Sequence, residues 1–286
     1  MENIVLGADI GGSHITAALI DLEGKNEIGE SWSRARLDSR GSAEDIIDAW
    51  AETIEKSMES YPVKPSKISI AMPGPMDYKN GICRIKDQDK YTALYNINIK
   101  EMLAARLGIS PASVNFKNDA ACFLTGEIFT GSLKGIDNAI GLTLGTGLGT
   151  SHIKNGEAFD SDLWKMPFLQ GIAEDYISTR WFVKRFKELA GIELKDVKDL
   201  VENYQDSPYF KAIFLEFSLN LAKFIHKFIR KKMPHAAVIG GNIANAEDYF
   251  LNDTRKFLAE MMGYSFPIRR STLGEKAALL GAGSSF

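Results

Sequence analysis

The chain has 286 residues, of which 45% are hydrophobic and 25% are charged, and its formal net charge is −3. This composition is ordinary for a globular protein, and it lacks the basic excess of a nucleic-acid-binding protein. No apolar run has the length of a membrane span, and the first residues lack the pattern of a signal peptide. The two cysteines, Cys83 and Cys122, are far apart, which suits a reducing compartment. We therefore expect a cytoplasmic protein that binds neither membrane nor nucleic acid.

The first predicted element is a hairpin with a glycine turn. Residues 4–10 and 15–21 have the composition of strands, and Gly11, Gly12 and Ser13 lie between them. Glycine lets backbone N–H groups converge on an anion without a Cβ in the way. A plain tight turn is one interpretation; the other is a phosphate loop, with Asp9 holding Mg²⁺ through water. The gap between the strands is too short for a crossover helix, which excludes the P-loop and Rossmann patterns.

The remaining elements of the first half alternate helices and strands. Ser42 caps a predicted helix whose apolar residues recur three and four apart, and residues 68–72 form a buried strand that ends at Pro73. A loop over 76–96 leads to a helix over 97–107. Residues 113–116 form another strand.

Asn118 and Asp119 follow that strand, where a helix of small and apolar residues begins. An aspartate at a helix start is commonly a cap. The alternative is a general base that takes a proton from a hydroxyl as it attacks a phosphoryl group. Both roles need an ionised carboxylate, so the position alone leaves them open.

The second half repeats the theme. Residues 138–153 form a second hairpin around Gly145, Thr146 and Gly147, and helices follow over about 172–190 and 208–232. A buried strand then runs into Gly240, Gly241 and Asn242. This segment is either a plain strand–turn–helix corner or a step on which a nucleoside can lie, because glycine has no side chain to block it. A last helix covers about 274–283. The four histidines and two cysteines do not have zinc-site spacing, so we expect no zinc site.

Taken together, these motifs resemble the sugar kinase/actin/Hsp70 ATPase architecture and, within it, the ROK family of bacterial sugar kinases and repressors. The matching segments run in family order along nearly the whole chain: GADIGGS at 7–13, PGP at 73–75 with Asp77 and Gly81, NDA at 118–120, LGTGLG at 144–149, IGGN at 239–242 and LGEKAALLGA at 273–282.

The resemblance implies an α/β, actin-like (ribonuclease H-like) fold, with ATP and Mg²⁺ in a cleft between two lobes. The expected lobes are 1–117 with 274–286, and 118–273. It also implies a homodimer and assigns the site: Asp119 is the catalytic base, and Gly74, Asn118 and Glu174 bind the sugar. The nucleotide ligands would be Asp9, Gly11, Gly12, Ser13, Thr16, Gly145, Thr146, Gly147, Gly240, Gly241 and Asn242.

One segment departs from the family. ROK kinases usually carry Gly-Glu-x-Gly-His after the second phosphate loop, and many carry a cysteine zinc motif; residues 159–168 (FDSDLWKMPF) contain neither His nor Cys. Trp164 would stack on a sugar, with Asp162 or Lys165 replacing lost hydrogen bonds, or Trp164 and Phe168 only pack beneath the loop.

We expect a kinase acting on a hexose or an amino sugar. The alternatives are a sugar-binding regulator without activity, which the absence of an N-terminal DNA-binding segment disfavours, and a kinase or ATPase with a non-sugar acceptor.

Overall fold

The computed structural model describes residues 3–65, 67–86 and 90–285. The strands are β1 (Ile4–Ile10), β2 (His14–Asp21), β3 (Asn26–Glu27), β4 (Ser33–Arg36), β5 (Ile68–Met72), β6 (Met76–Asp77), β7 (Ile82–Cys83), β8 (Val114–Asn118), β9 (Ala139–Leu144), β10 (Leu148–Lys154), β11 (Glu157–Asp160), β12 (Pro167–Phe168), β13 (Gly171–Ile172), β14 (Ala236–Gly240) and β15 (Ile268–Arg270). The α-helices are α1 (Ala43–Glu59), α2 (Ile99–Leu107), α3 (Asp119–Phe129), α4 (Thr179–Ala190), α5 (Val197–Asn203), α6 (Phe210–Lys232), α7 (Leu251–Met262) and α8 (Lys276–Gly283). Short 3₁₀ helices cover Gly29–Ser31, Thr92–Leu94, Pro111–Ser113, Ala173–Asp175 and Asn242–Tyr249.

Two sheets share one topology, which confirms the predicted repeat. The first has the order β3–β2–β1–β5–β8, and β4 also pairs with β2. The second has the order β11–β10–β9–β14–β15. In each, an antiparallel hairpin is followed by two parallel strands on the far side of its first strand. Both predicted glycine turns therefore lie at the tip of the hairpin of a mixed sheet.

The predicted helices of the first half form with their expected caps. The Ser42 hydroxyl accepts the backbone N–H of Asp45 at 3.1 Å, and α1 buries Ile46, Ile47, Trp50 and Ile54. Helix α2 ends at Gly108, whose φ of +66° suits the left-handed C-cap. These helices supply the apolar cover of the first sheet.

The second core is built on the aromatic stripe of α6. Its buried members are Phe210, Phe214, Phe217, Leu221, Phe224 and Phe228. The predicted helix over 172–190 is shorter, since α4 begins only at Thr179. The Asp175 carboxylate accepts the N–H of Ile172 at 3.0 Å, and this local bond favours a 3₁₀ turn over an earlier start of the helix. The sequence interpretation missed helix α5. Its N-cap is Asp196, whose carboxylate accepts the N–H of Asp199.

The chain divides into two compact units, Met1–Lys134 with Glu275–Phe286, and Gly135–Gly274. The sequence had placed the boundary at 117/118, which assigns α3 to the second lobe. In the structure α3 packs closely on α8, so that helix belongs to the first unit. Among the described residues, no helix is both long enough and apolar enough to cross a bilayer.

Candidate active site

Asp9, Thr16 and Arg34 form a row across three neighbouring strands of the first unit. Asp9 is opposite Thr16 in the β1–β2 pair, and Thr16 is opposite Arg34 in the β2–β4 pair. Directly opposed residues share one face of a sheet, so the three side chains emerge together. Arg34 also forms an ion pair with Glu275, just before α8. With Gly11, Ser13 and His14, these residues line a pocket of about 190 Å³.

The first glycine turn opens onto this pocket. Gly11, Gly12 and Ser13 are exposed, and the Gly11 N–H donates to the His14 carbonyl at 2.9 Å. The Tyr91 hydroxyl donates to the Gly11 carbonyl from the interior. The turn is therefore fixed from beneath, while its outer backbone is open to a ligand.

Asp9 and Asp119 form an electrostatically coupled pair of carboxyls. Burial raises the pKa of Asp9 to about 7, and the charges of Asp119 and Glu275 add to this effect, while Arg34 opposes it. Burial also raises the pKa of Asp119, against the Ala120 N–H and the charge of Lys90. A cation placed near this pair would relieve the cost of two partly desolvated negative charges.

The capping alternative for Asp119 is resolved by its neighbour. Asn118 is the N-cap of α3, and its side-chain oxygen accepts the N–H of Ala121 at 3.0 Å. Asp119 is the first helical residue, and one of its oxygens accepts the Ala120 N–H at 2.8 Å. Because Asn118 supplies the N-cap bond, α3 does not need such a bond from Asp119.

Tyr78 joins two of the predicted sugar-binding positions, and the sequence analysis missed it. Its hydroxyl donates to the Met72 carbonyl at 3.0 Å and lies 3.3 Å from Nδ2 of Asn118. A Cβ built on Gly74 would lie 3.1 Å from the same hydroxyl. Gly74 and Asn118 therefore both lie next to the hydroxyl group of Tyr78.

In the second unit, the turn over Gly145–Gly147 is braced by Glu174. The Gly145 N–H donates to the Gly147 carbonyl at 3.0 Å, and Thr146 is exposed. One oxygen of Glu174 accepts the Leu148 N–H at 2.9 Å, and the other pairs with Arg180. The predicted sugar ligand thus has a structural role at the glycine turn. Each carboxylate oxygen has a second lone pair for a substrate hydroxyl.

Gly241 connects the third glycine segment to the same turn. It follows Gly240, the last residue of β14, and precedes the 3₁₀ helix that starts at Asn242. Its φ is +84°, and a Cβ at this position would overlap the Leu144 carbonyl oxygen. Glycine is required here by the close approach of two backbones, and that approach places the predicted nucleoside step beside the second glycine turn.

The segment that departs from the family divides into an exposed and a buried part. Trp164 is 40% exposed, and the ammonium of Lys165 lies 5.7 Å from its ring and pairs with Asp162. Phe168 is buried and packs edge-on against Tyr176 and Phe224. The packing interpretation therefore holds for Phe168, whereas the face of Trp164 is partly open.

The acidic residues fit a magnesium ion held mainly by water and phosphate. Among the described residues, no group of three His, Cys, Asp or Glu side chains could hold a metal ion. Mg²⁺ does not need such a cage, since one or two carboxylates with waters and substrate phosphates suffice. Asp9, with its raised pKa and its position beside the exposed glycine turn, meets that requirement.

Each unit thus brings together part of the predicted set. The first unit assembles Asp9, the first glycine turn, Thr16, Gly74, Asn118 and Asp119, and the second assembles Gly145–Gly147, Glu174 and Gly240–Asn242. Sequence reasoning missed Arg34, Tyr78 and Glu275. Arg34 lies in β4, a short polar strand, and its place at the site comes from the pairing of β4 with the hairpin.

Comparison with known proteins extends the resemblance along the chain. The chain is 26% identical to the glucokinase of Thermotoga maritima, over 98% of this chain and 96% of that protein. It is 24% identical to the N-acetyl-D-glucosamine kinase of Mannheimia succiniciproducens, over 99% of each. A solved structure of a ROK family glucokinase from Streptomyces griseus, in complex with glucose and AMPPNP, aligns with a TM-score of 0.77 at 22% identity, over 98% of each chain.

The structural likeness confirms the predicted fold class, the α/β fold of the two-lobed, actin-like ATPases. The family model described as ROK family matches residues 5–161, which is more than half of the chain. The motifs quoted from the sequence and the two matching sheets agree with that assignment. The protein belongs to the ROK family.

Proposed function

We propose that this protein is an ATP-dependent kinase that phosphorylates a hydroxyl group of a hexose or an amino sugar. The observation that carries the proposal is Asp119, a carboxyl at the start of α3 in the same unit as Asp9 and the first glycine turn. A base and a phosphate loop held in one unit would favour phosphoryl transfer, which depends on the positioning of the reacting groups. The names of the two curated relatives, a glucokinase and an N-acetyl-D-glucosamine kinase, support the substrate class.

In this proposal Asp119 receives the proton of the acceptor hydroxyl. The hydroxyl oxygen forms a bond to the γ-phosphorus of ATP, the bond from that phosphorus to the β,γ-bridging oxygen breaks, and ADP leaves with the electron pair. Asn118 and the backbone at Gly74, held together by Tyr78, orient the sugar, with Glu174 as a further ligand. Positioning and charge neutralisation supply most of the rate enhancement in such reactions.

The nucleotide would be held by the three glycine segments. The exposed turn of Gly11, Gly12 and Ser13 would bind phosphate in the first unit, through the amides of Gly12 and Ser13 and with Thr16, since the Gly11 N–H donates within the turn. Gly145, Thr146 and Gly147 would do so in the second, and Gly240, Gly241 and Asn242 would border the nucleoside. When bound near Asp9 through water, Mg²⁺ would neutralise phosphate charge.

The test is ADP release in the presence of a panel of hexoses and N-acetylhexosamines, for the wild type and Asp119→Asn. We expect at least one sugar to stimulate turnover. The asparagine variant should lose at least about 100-fold in kcat, because it keeps the shape and removes the base. Asp206→Asn, at an exposed position, is the matched control and should retain wild-type turnover.

Two outcomes would contradict the proposal: no sugar in the panel stimulates wild-type turnover, or Asp119→Asn is unimpaired. Sugar binding without turnover would instead favour a regulator. Turnover with a non-sugar alcohol alone would favour a different acceptor.

Two finer points belong to the same proposal. A homodimer is supported by the family resemblance alone. A cytoplasmic location is supported by Cys83 and Cys122, which are both buried free thiols, as expected in a reducing compartment.

A further inference from the structure

Lys90 lies next to the first glycine turn, and its neighbour Tyr91 is anchored to that turn. Tyr91 is completely buried, with φ of +58°, and its N–H donates to the Ser39 carbonyl at 2.6 Å. Its hydroxyl donates to the carbonyl of Gly11. Two bonds to separate parts of the chain therefore fix this residue against the turn, and with it the backbone of Lys90.

Lys90 lies beside the first glycine turn, and its charge acts on the proposed base. It is half-buried, and a Cβ built on Gly12 would be 3.6 Å from its Cδ, so its aliphatic stem runs along the bare face of the turn. Its positive charge also acts on Asp119, where it favours the ionised carboxylate. The stem of Lys90 therefore lies at the turn, and its ammonium group is near enough to Asp119 for the charge to favour the ionised carboxylate.

We propose that Lys90 is a catalytic residue that binds the γ-phosphoryl group of ATP during its transfer. This inference rests on the proposed function, and it adds a residue that none of the sequence motifs contains. The group in transit must pass from a nucleotide held at the Gly12 turn to a hydroxyl beside Asp119. A side chain whose stem lies at the turn and whose charge acts on Asp119 is placed for contact with that group.

The chemical role follows from the charge distribution of phosphoryl transfer. As the new bond to the acceptor oxygen forms and the bond to the bridging oxygen of ADP breaks, negative charge is spread over the three outer oxygens of the phosphoryl group. A fixed ammonium stabilises that charge more than it stabilises bound ATP. Lys90 gains and loses no proton in the step, since the hydroxyl proton goes to Asp119.

The experiment compares Lys90→Met, Lys90→Arg and the wild type in sugar-dependent ADP formation. Methionine keeps the length and apolar stem of lysine and removes the charge. We expect kcat to fall about 100-fold in Lys90→Met, with the KM for sugar changed less than about threefold, and Lys90→Arg to lie between it and wild type. Lys86→Met removes the same charge from an exposed position of the same segment and should keep the wild-type kcat.

A binding measurement separates the chemical role from a structural one. Titration calorimetry with Mg·ADP and sugar, with and without aluminium fluoride as a mimic of the phosphoryl group in transit, gives the tightening that the mimic causes. Lys90→Met should lose at least about tenfold of that tightening and bind Mg·ADP alone as the wild type does. Equal tightening in both proteins, or an unchanged kcat, would overturn the role of Lys90. A wild type without sugar-dependent turnover would instead refute the proposed function.

Discussion

Asp9 shows how a single side chain connects the sheet to the chemistry. It is the last but one residue of β1, opposite Thr16, in a place where burial and two neighbouring carboxylates disfavour its charge. A protein that only needed a stable hairpin would gain by an uncharged residue here. Binding of a cation, or of a ligand rich in N–H groups, would offset this unfavourable free energy, as is usual in a binding site.

This cost predicts a pH-dependent gain of stability for Asp9→Asn. The pKa of Asp9 rises from its ordinary value of 3.8 to about 7 in the folded protein. Between these values the folded state retains a proton that the unfolded chain has released, so this group lowers stability as pH rises. In urea unfolding without Mg²⁺, the variant and wild type should be alike near pH 4. Above pH 7 the variant should be more stable, by up to about 4 kcal/mol.

A free-energy difference between Asp9→Asn and wild type that is constant with pH would contradict this prediction. Glu52→Gln removes a carboxylate from the exposed face of α1 and is the control. Its unfolding free energy should stay within about 0.5 kcal/mol of wild type throughout.

Gly241 gives a second prediction at the residue scale, because its positive φ and its contact with Leu144 can be separated. Gly156 also has positive φ, +79°, but nothing lies within 4 Å of a Cβ built there. Gly156→Ala should cost about 1 kcal/mol of unfolding free energy, which is the strain of the left-handed backbone. Gly241→Ala should cost about 3 kcal/mol, since the methyl group also overlaps a carbonyl that cannot move independently. Equal losses in denaturant unfolding would show that the backbone contact is unimportant.

Some site residues were out of reach of the sequence for a physical reason. Asp9 and Asp119 stand next to strand ends and glycine turns, which are local signals. Tyr78 and Lys90 lie in a loop without periodicity, and their importance comes from contacts with Gly74, Asn118 and Gly12 that depend on the folded chain. Such partners are fixed by tertiary packing and leave no local pattern.

At the scale of the elements, the backbones of helices α3 and α8 approach each other closely. A Cβ on Gly126 would overlap the Ala277 carbonyl oxygen, and a Cβ on Gly281 would overlap that of Cys122. Small residues therefore allow the two helices to touch along their backbones. Since Asp119 is the first residue of α3, this contact fixes the helix that carries the proposed base.

Gly281→Ala should consequently lower the free energy of unfolding by at least about 2 kcal/mol, because neither backbone can yield as a side chain would. On the same helix, the three atoms outside the helix that lie nearest to a Cβ at Gly283 belong to the side chains of Ile20 and Val5, and the nearest of them, the terminal methyl of Ile20, can rotate away. Gly283→Ala should therefore cost less than half as much. Thermal or urea unfolding of the two variants checks the difference. If Gly281→Ala were as stable as Gly283→Ala, the proposed close packing would be wrong.

The same elements show what spacing alone can predict. Both hairpins and the α6 stripe were predicted correctly, because glycine turns and an apolar period of three and four are strong local signals. The start of α4 was wrong by several residues, because Asp175 binds the backbone locally and delays the helix. Short α5 was missed, although Asp196 provides its cap.

For the whole molecule, the sequence predicted two similar αβ halves and the return of the last helix to the first half. The structure bears out the repeat of sheet topology, and it groups α8 with the first unit. The boundary differs, since α3 is held in the first unit by helix packing that a composition profile does not reveal. The fold was thus largely predictable, whereas the acceptor was not, because the segment over 159–168 departs from the family pattern.

The return of α8 has a consequence for how the protein is made. The second unit is continuous, Gly135–Gly274, while the first is completed only by residues from Glu275 onward. On the ribosome, the later unit is therefore fully synthesised before the earlier one has its last helix. Until α8 emerges, the face of α3 that carries Gly126 lacks the helix that packs on it, so the N-terminal unit is still incomplete when the whole of the C-terminal unit has been synthesised.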